Sequence, residues 1–210
     1  VCDTVDNGDK IFRLKILSPN AYSINFIFNN FNLSQGSELF IYNNDYSVQI
    51  GAFTYLNNKS YNRFSTTPVS GDEITLEYFE PFGSNQISNI NISNIIHAYK
   101  PTFSNNSRGY DDSQNCNNNV NCTGYQPWID EKNSVVMTLT DGGTRLCSGT
   151  MINNVNEDLE LYFLTSQNCL GGHEDWIFMF NYESPTCNNE DGITDNTLSG
   201  STLLTHNSQS

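Results

Sequence analysis

Residues 161–169 read Leu-Tyr-Phe-Leu-Thr-Ser-Gln-Asn-Cys. Aromatic and aliphatic side chains fill the first half of this stretch, as is typical of a β-strand that contacts a core. The polar residues that follow favour a turn, because Ser and Asn side chains bond to nearby backbone groups. The stretch therefore predicts a strand, a tight turn and a cysteine, Cys169, directly after the turn.

Further strand-like runs surround this stretch and make the second half of the chain β-rich. Asp141-Gly142-Gly143 is a hairpin turn between the first two of these runs. The predicted strands are 134–140, 145–152, 160–165, 176–182 and 199–205.

The first half shows the same short strands, with apolar residues at every second position. Turn residues separate them, and no amphipathic helix is evident, so the pattern predicts an antiparallel β-sandwich. The predicted strands are 11–17, 22–28, 38–42, 48–53 and 73–79.

The alternation fades after Tyr99, and residues 101–127 are rich in Asn, Ser, Asp, Gly and Pro. This composition is typical of a linker or an extended arm. The sequence therefore predicts a sandwich domain at 1–105, a linker at 106–127 and a second β domain at 128–210.

The charge balance excludes some classes of partner. Nine Lys and Arg oppose 23 Asp and Glu, which gives a net charge of −14. Nucleic acids and anionic membrane surfaces need a basic footprint, so neither is an expected partner. No apolar run approaches the ~20 residues that cross a bilayer as a helix.

The six cysteines border strands or lie in polar loops, and Cys116 and Cys122 lack the spacing of a zinc site. We expect paired disulfides in an oxidising compartment, and hence an extracellular or cell-surface protein. Buried free thiols in a cytosolic protein are the alternative.

Five motifs in the second half, in this order, resemble the trypsin-like serine proteases of the bacterial lysyl endopeptidase type. They are 116–122 (CNNNVNC), 146–154 (LCSGTMINN), 162–169 (YFLTSQNC), 180–187 (FNYESPTC) and 198–204 (LSGSTLL). The resemblance implies that the second domain is the first β-barrel half of a trypsin-like fold. Residues 1–105 resemble the β-rich pro-region that precedes such proteases.

The resemblance places Asn168 where the family has its catalytic histidine. An amide cannot take the proton from a nucleophilic serine near neutral pH, so no intact catalytic site is expected. His173, in the segment Gly-Gly-His-Glu-Asp, is an unlikely substitute base, and its simpler interpretation is a solvated loop histidine.

The resemblance also implies disulfides, which pair Cys147 with Cys169 and Cys122 with Cys187. Cys2 and Cys116 remain, and either they pair with each other or Cys116 binds a separate C-terminal piece. The family's aspartate, serine and second barrel would follow residue 210. We therefore expect a partner over the apolar inter-barrel face: that missing half, another protein, or a further copy in a homo-oligomer or surface assembly.

Three functions follow as hypotheses. The first is an inactive protease relative that serves as a structural or binding component. The second is an active serine endopeptidase captured as a proenzyme or N-terminal fragment. The third is a carbohydrate-binding or adhesive module, suggested by the aromatic residues Tyr42, Tyr46, Tyr55, Tyr61 and Phe64.

No cofactor is expected. The acidic loops 6–9 and 188–192 offer oxygen ligands of the kind calcium prefers, but they lack EF-hand spacing. Turn formation explains these loops better, so the sequence predicts no metal site.

Overall fold

A computed structural model describes residues 1–5, 7–84, 86–100, 118–188 and 190–207. The chain separates into two compact units, Val1–Lys100 and Pro101–Ser210. Cys116 and most of the predicted linker lie outside the described residues. Within the described part of the chain, no helix is both long and apolar enough to cross a bilayer.

The described residues of the first unit form nine strands in two sheets. The strands are β1 (Cys2–Thr4), β2 (Lys10–Leu17), β3 (Ser23–Asn32), β4 (Glu38–Asn43), β5 (Gln49–Phe53), β6 (Phe64–Ser65), β7 (Val69–Ser70), β8 (Glu73–Glu80) and β9 (Asn89–Ala98). One sheet, here called sheet A, has the order β1-β2-β8-β4-β5, and all its pairs are antiparallel.

The other sheet, sheet B, is built around β3. Along one edge β3 pairs with the short strands β6 and β7, and along the other edge it pairs with β9. The β3–β9 register shifts twice, so that Ser93 on β9 and Asn29 on β3 have no directly opposite residue. Such bulges bend a strand locally and interrupt the regular ladder.

Apolar side chains from both sheets form one core, which makes the unit a β-sandwich. On β3, Ile24, Phe26 and Phe28 are fully buried and occupy alternate positions, as the period of a strand requires. They pack against apolar residues of sheet A, among them Ile41 and Ile74, which are also fully buried.

In the second unit, the described strands form one antiparallel five-stranded sheet with the order β12-β11-β10-β13-β14. Its strands are β10 (Val135–Leu139), β11 (Arg145–Ile152), β12 (Tyr162–Thr165), β13 (Ile177–Phe180) and β14 (Thr197–Ser199). At the predicted hairpin between β10 and β11, Gly143 donates to Thr140 and has a positive φ of 75°.

Both faces of this sheet carry apolar clusters. Val136 and Phe178 share one face and pack with Trp176 and Cys169. Leu139, Ile177 and Met179 share the opposite face. The predicted fold class is confirmed: an all-β protein in which an antiparallel sandwich is followed by the half-barrel sheet of a trypsin-like fold.

Among the residues that the structure describes, helical structure is confined to short turns. They are the four-residue helix α1 (Ile129–Lys132) and the 3-10 turns Tyr55–Asn57, Gln126–Trp128, Gln167–Cys169 and His173–Asp175. The prediction of a strand over 199–205 is wrong for most of its length, because β14 ends at Ser199. Beyond it, Leu203 and Leu204 are exposed, so no pairing or burial holds them in a ladder.

Candidate active-site turn

The turn that carries Asn168 follows directly from β12. Ser166 is extended, with φ −69° and ψ 142°, and its side chain accepts a hydrogen bond from the Asn168 amide at 3.4 Å. Cys169 and Leu170 then donate to the carbonyls of Ser166 and Gln167, each at 3.0 Å. The polar run after the strand thus caps and closes one turn of 3-10 helix.

Two links fix this turn to β11. Cys169, which is 7% exposed, is disulfide-bonded to Cys147 on β11. The Thr165 hydroxyl donates to the Ser148 carbonyl at 2.9 Å. These contacts hold the end of β12 and the turn against the neighbouring strand, so position 168 has a defined place in the fold.

Gly149 lets the two strands approach each other closely at this point. Gly149 is opposite Thr165 in the register, and the ring of Phe163 covers it. A Cβ at position 149 would lie 2.7 Å from Phe163 Cε2 and closer still to the Leu164 carbonyl oxygen. A side chain there would push β12 and the turn away from β11.

Asn168 itself is exposed on the outside of the turn. Its side chain is a carboxamide, which offers one acceptor oxygen and two N–H donors but no nitrogen that titrates near neutral pH. The Asn168 side chain can therefore form hydrogen bonds but cannot act as a general base.

A second 3-10 turn follows at His173–Asp175, and it joins the sheet through backbone contacts. Gly172 precedes it in the left-handed region with φ 64°. The His173 carbonyl accepts from the Ser201 amide at 3.1 Å and from the Ser201 hydroxyl at 2.8 Å. The His173 ring packs edge-on against Trp176, with centroids 6.4 Å apart.

The start of the unit is anchored by the other disulfide, Cys122–Cys187. Beside it, the Lys132 ammonium contacts the Glu183 carboxylate at 2.6 Å and the Asn121 side-chain oxygen at 2.7 Å. The two disulfides join the same cysteines that the resemblance implies.

The family model described as "Lysyl endopeptidase, C-terminal domain" matches residues 110–210. Residues 110–210 are related to the lysyl endopeptidases. The matched segment contains both disulfides and the turn with Asn168, so the chain is protease-related. No solved structure matches the chain at a significant level.

The matched segment contains two of the chain's three histidines. The structure places His173 beside Trp176, as described above, while His206 lies close to the end of the described residues. The third, His97 on β9, has its Nδ1 2.8 Å from the Ser18 hydroxyl, which fits a structural role.

The two cysteines that belong to neither of these disulfides are Cys2 and Cys116. Cys2 is exposed and has a free thiol on β1. Because the Cys2 thiol is free, the alternative in which Cys2 pairs with Cys116 does not fit the structure. Cys116 lies outside the described residues, and its bond to a separate C-terminal piece stays a prediction.

The two acidic loops are only partly described, since Asp6 and Asn189 fall outside the described residues. In the first loop the Asp9 carboxylate accepts from the Asn7 side chain at 2.6 Å and from the Phe82 amide at 2.7 Å. Within the described ranges, no three His, Cys, Asp or Glu side chains are grouped so that they could hold a metal ion.

The aromatic residues considered for sugar binding divide between core and surface. Phe64 is 4% exposed and stacks on Phe31 with centroids 4.3 Å apart. Tyr42 is 7% exposed, whereas Tyr46, stacked on it at 4.8 Å, is 67% exposed. Phe64 and Tyr42 are therefore packing residues, and sugar stacking on them does not fit the structure.

Proposed function

We propose that this protein is a catalytically inactive relative of the lysyl endopeptidases that serves as a structural or binding component outside the cell. The proposal rests on Asn168, which the motif resemblance aligns with the family's general base, and which lies on a turn tethered by the Cys147–Cys169 disulfide. The local scaffold is retained while the group that would take the proton from a serine is absent.

His173 does not replace that base in our proposal. Its ring packs on Trp176, a residue that is 3% exposed, and its carbonyl holds Ser201. Through both contacts His173 has a structural role where the second 3-10 turn meets the strand that follows.

We place the protein in an oxidising compartment. Two disulfides fix the second unit, and such bonds persist outside the cell but are rare in the cytosol. We also propose that residues 1–105 act as a pro-region-like domain that remains attached, because an inactive scaffold has no cleft to clear.

An exposed apolar surface supports a binding role for the second unit. Val135 and Leu164 flank Thr150 in one row across three strands, and they are 53% and 57% exposed. Ile152, on the same face of β11, is 44% exposed. We propose that the second barrel of a protease-like domain, or another protein, covers this face.

A hydrolysis assay on the intact secreted gene product tests the proposal. The rates on lysyl and arginyl peptide amides are compared with those of an active lysyl endopeptidase at equal concentration. Loss of a triad member leaves roughly 10^3–10^4-fold catalysis over water, so we expect turnover about 10^6-fold below the active enzyme. An ordinary turnover number would show that the endopeptidase hypothesis is correct and ours is not.

A His173→Ala variant separates the two interpretations further. If residual hydrolysis disappears in this variant while the fold is retained, His173 is the base. If the rate is unchanged, the side chain has no part in it. Our proposal requires the second result.

A further inference from the structure

The two sheets of the sandwich differ in width. Sheet A is five strands wide, whereas sheet B is three strands wide at most, because β6 and β7 share one edge of β3. On the core-facing side of β2, Phe12 is 37% exposed and Leu14 is 51% exposed. Their cross-strand partners Tyr78 and Leu76 pack on the core, so the exposure begins where sheet B ends.

The edge of sheet B at this point is β9, which has ten residues. It pairs with β3, and no described strand pairs with its other edge. Its sequence, Asn-Ile-Asn-Ile-Ser-Asn-Ile-Ile-His-Ala, contains no Pro, Lys, Arg, Asp or Glu. Natural edge strands commonly carry such residues to prevent pairing with another chain, and β9 is without them.

A groove of about 610 Å³ joins these two features. Phe12 and Leu14 line it from sheet A, and Ile90 and Ile92 line it from β9. Neighbouring strands lie about 4.8 Å apart and packed sheets about 10 Å apart, so a strand added beside β9 would lie over β2. The bulges at Ser93 on β9 and at Asn29 on β3 leave Asn89–Asn91 as the regularly paired end of β9 next to the groove.

The width of the opening decides between possible occupants. A second copy that offered its own β9 would bring its own sheet A, which would occupy the layer already filled by the first copy's β2 and β8. A single extended segment meets no such obstacle. Its backbone would form hydrogen bonds with the N–H and C=O groups along the free edge of β9. Its alternate side chains would cover Phe12 and Leu14.

Charge defines the segment further. Arg13 also borders the groove, but it alternates with Phe12 and Leu14, so its side chain lies on the opposite face of β2, where it pairs with Asp3 at 2.7 Å and with Glu77 at 2.6 Å. Residues 1–100 carry six basic and nine acidic residues, a net charge of 6 − 9 = −3, which disfavours an acidic segment relative to a basic one. The matching ligand has apolar residues at every second position and basic residues at its ends.

We propose that the sandwich domain binds such an extended segment of a partner protein by strand addition to β9. The inference is independent of Asn168 and of the proposed loss of catalysis, because it concerns only residues of the first unit.

The proposal is tested by measuring how a fluorescently labelled peptide binds to the full chain. It has Val and Ile at alternate positions, Thr between them and two Lys at each end, and its binding is followed by fluorescence anisotropy. A control peptide of the same sequence carries N-methyl groups on the amides of one edge, and a second peptide has Glu in place of Lys. We expect the first peptide to bind, the N-methylated peptide to bind at least tenfold more weakly, and the Glu peptide to bind more weakly than the first.

Two variants of β2 serve as a matched pair. Leu14→Asn removes an apolar side chain from the groove, whereas Leu17→Asn changes a residue that is 61% exposed on the opposite face of the same strand. Removing the buried contact should weaken binding about tenfold in the first variant only. Equal binding of the N-methylated peptide, equal loss in both variants, or no binding of the first peptide would overturn the proposal. Self-association that is abolished by Leu14→Asn, without peptide binding, would assign the groove to a second copy instead.

Discussion

At the scale of single residues, Gly149 is the position where the 167–169 turn depends most directly on the absence of a side chain. In a Gly149→Ala variant the new Cβ would overlap the Phe163 ring and the Leu164 carbonyl. We expect the free energy of unfolding of this unit to fall by about 1–3 kcal/mol, as for other overpacked sites. Chemical denaturation followed by circular dichroism measures it.

Gly142 in the nearby hairpin is the control, because a Cβ there would be 3.7 Å from Thr140 Oγ1 and meet no closer atom. Gly142→Ala should change stability by no more than about 0.5 kcal/mol. Equal stability of the two variants would mean that β11 and β12 are not as closely apposed as described.

Tyr42 gives a pH-dependent prediction in the first unit. Burial, together with the hydrogen bond from its hydroxyl to the Glu77 carboxylate at 3.0 Å, raises the pKa of Tyr42 to about 12 from an ordinary value of 10.0. The folded state therefore holds this proton more tightly than the unfolded state. The resulting stability is complete below pH 10 and is lost as the pH rises from 10 to about 12.

Ultraviolet titration at 295 nm of the protein and of a Tyr42→Phe variant isolates this group by difference. The difference curve should have its midpoint near pH 12, and the variant should lose less stability between pH 10 and 12. A midpoint near pH 10 would show that the phenol is neither buried nor bonded to Glu77.

The sequence alone suggests Asn168 as the residue at the family's histidine position, because its neighbours carry the family resemblance, and this assignment stays a prediction. Its geometry could not be predicted from the sequence, since the exposed 3-10 turn depends on the Ser166 cap and on a disulfide to a residue 22 positions away. A local sequence pattern does not reveal a contact between residues that are so far apart in the chain.

At the scale of elements, the Cys147–Cys169 disulfide should determine how rigid the 167–169 turn is. Closing a loop of this length is worth about 3 kcal/mol in the chain-entropy treatment. We expect a Cys147→Ser/Cys169→Ser double variant to lose about that much stability. Hydrogen exchange at the Leu170 amide, which bonds to Gln167, should become faster.

A Cys2→Ser variant is the matched control, since Cys2 is exposed and has a free thiol. It should melt at the temperature of the parent protein. If the double variant also melts at that temperature and exchange at Leu170 is unchanged, the turn is held by its hydrogen bonds alone.

The strands differ in how far the sequence predicts them. For β11 the predicted bounds, 145–152, are those of the structure, because its ends are set by a Gly-containing turn and a polar pair. For β9 the period of two breaks at Ile95-Ile96, beyond a bulge at Ser93, and the sequence analysis assigns no strand there. Bulges arise from pairing with a distant strand, so the local alternation does not reveal them.

At the scale of the whole molecule, each unit has its own sheets and core, and this makes the first unit testable by itself. Both of its sheets are formed within residues 1–100. We expect this segment, produced alone, to give a dispersed NMR spectrum and a cooperative thermal transition. A collapsed spectrum typical of an unfolded chain would contradict an independent sandwich.

The acidic character of the chain is concentrated in the second unit. Residues 1–100 carry six basic and nine acidic residues, a net charge of 6 − 9 = −3, whereas residues 101–210 carry three and fourteen, a net charge of 3 − 14 = −11. The nearly neutral first unit is therefore the better candidate for contacts that depend on apolar and backbone groups.

The central claim is that the protease-related unit lacks a general base. The most direct measurement is labelling of the intact protein, purified from its natural source, with a fluorophosphonate probe, using trypsin as a positive control. The probe reacts with a serine only when a neighbouring base activates it. We predict no labelling under conditions that saturate trypsin, and stoichiometric labelling at a comparable rate would contradict the account.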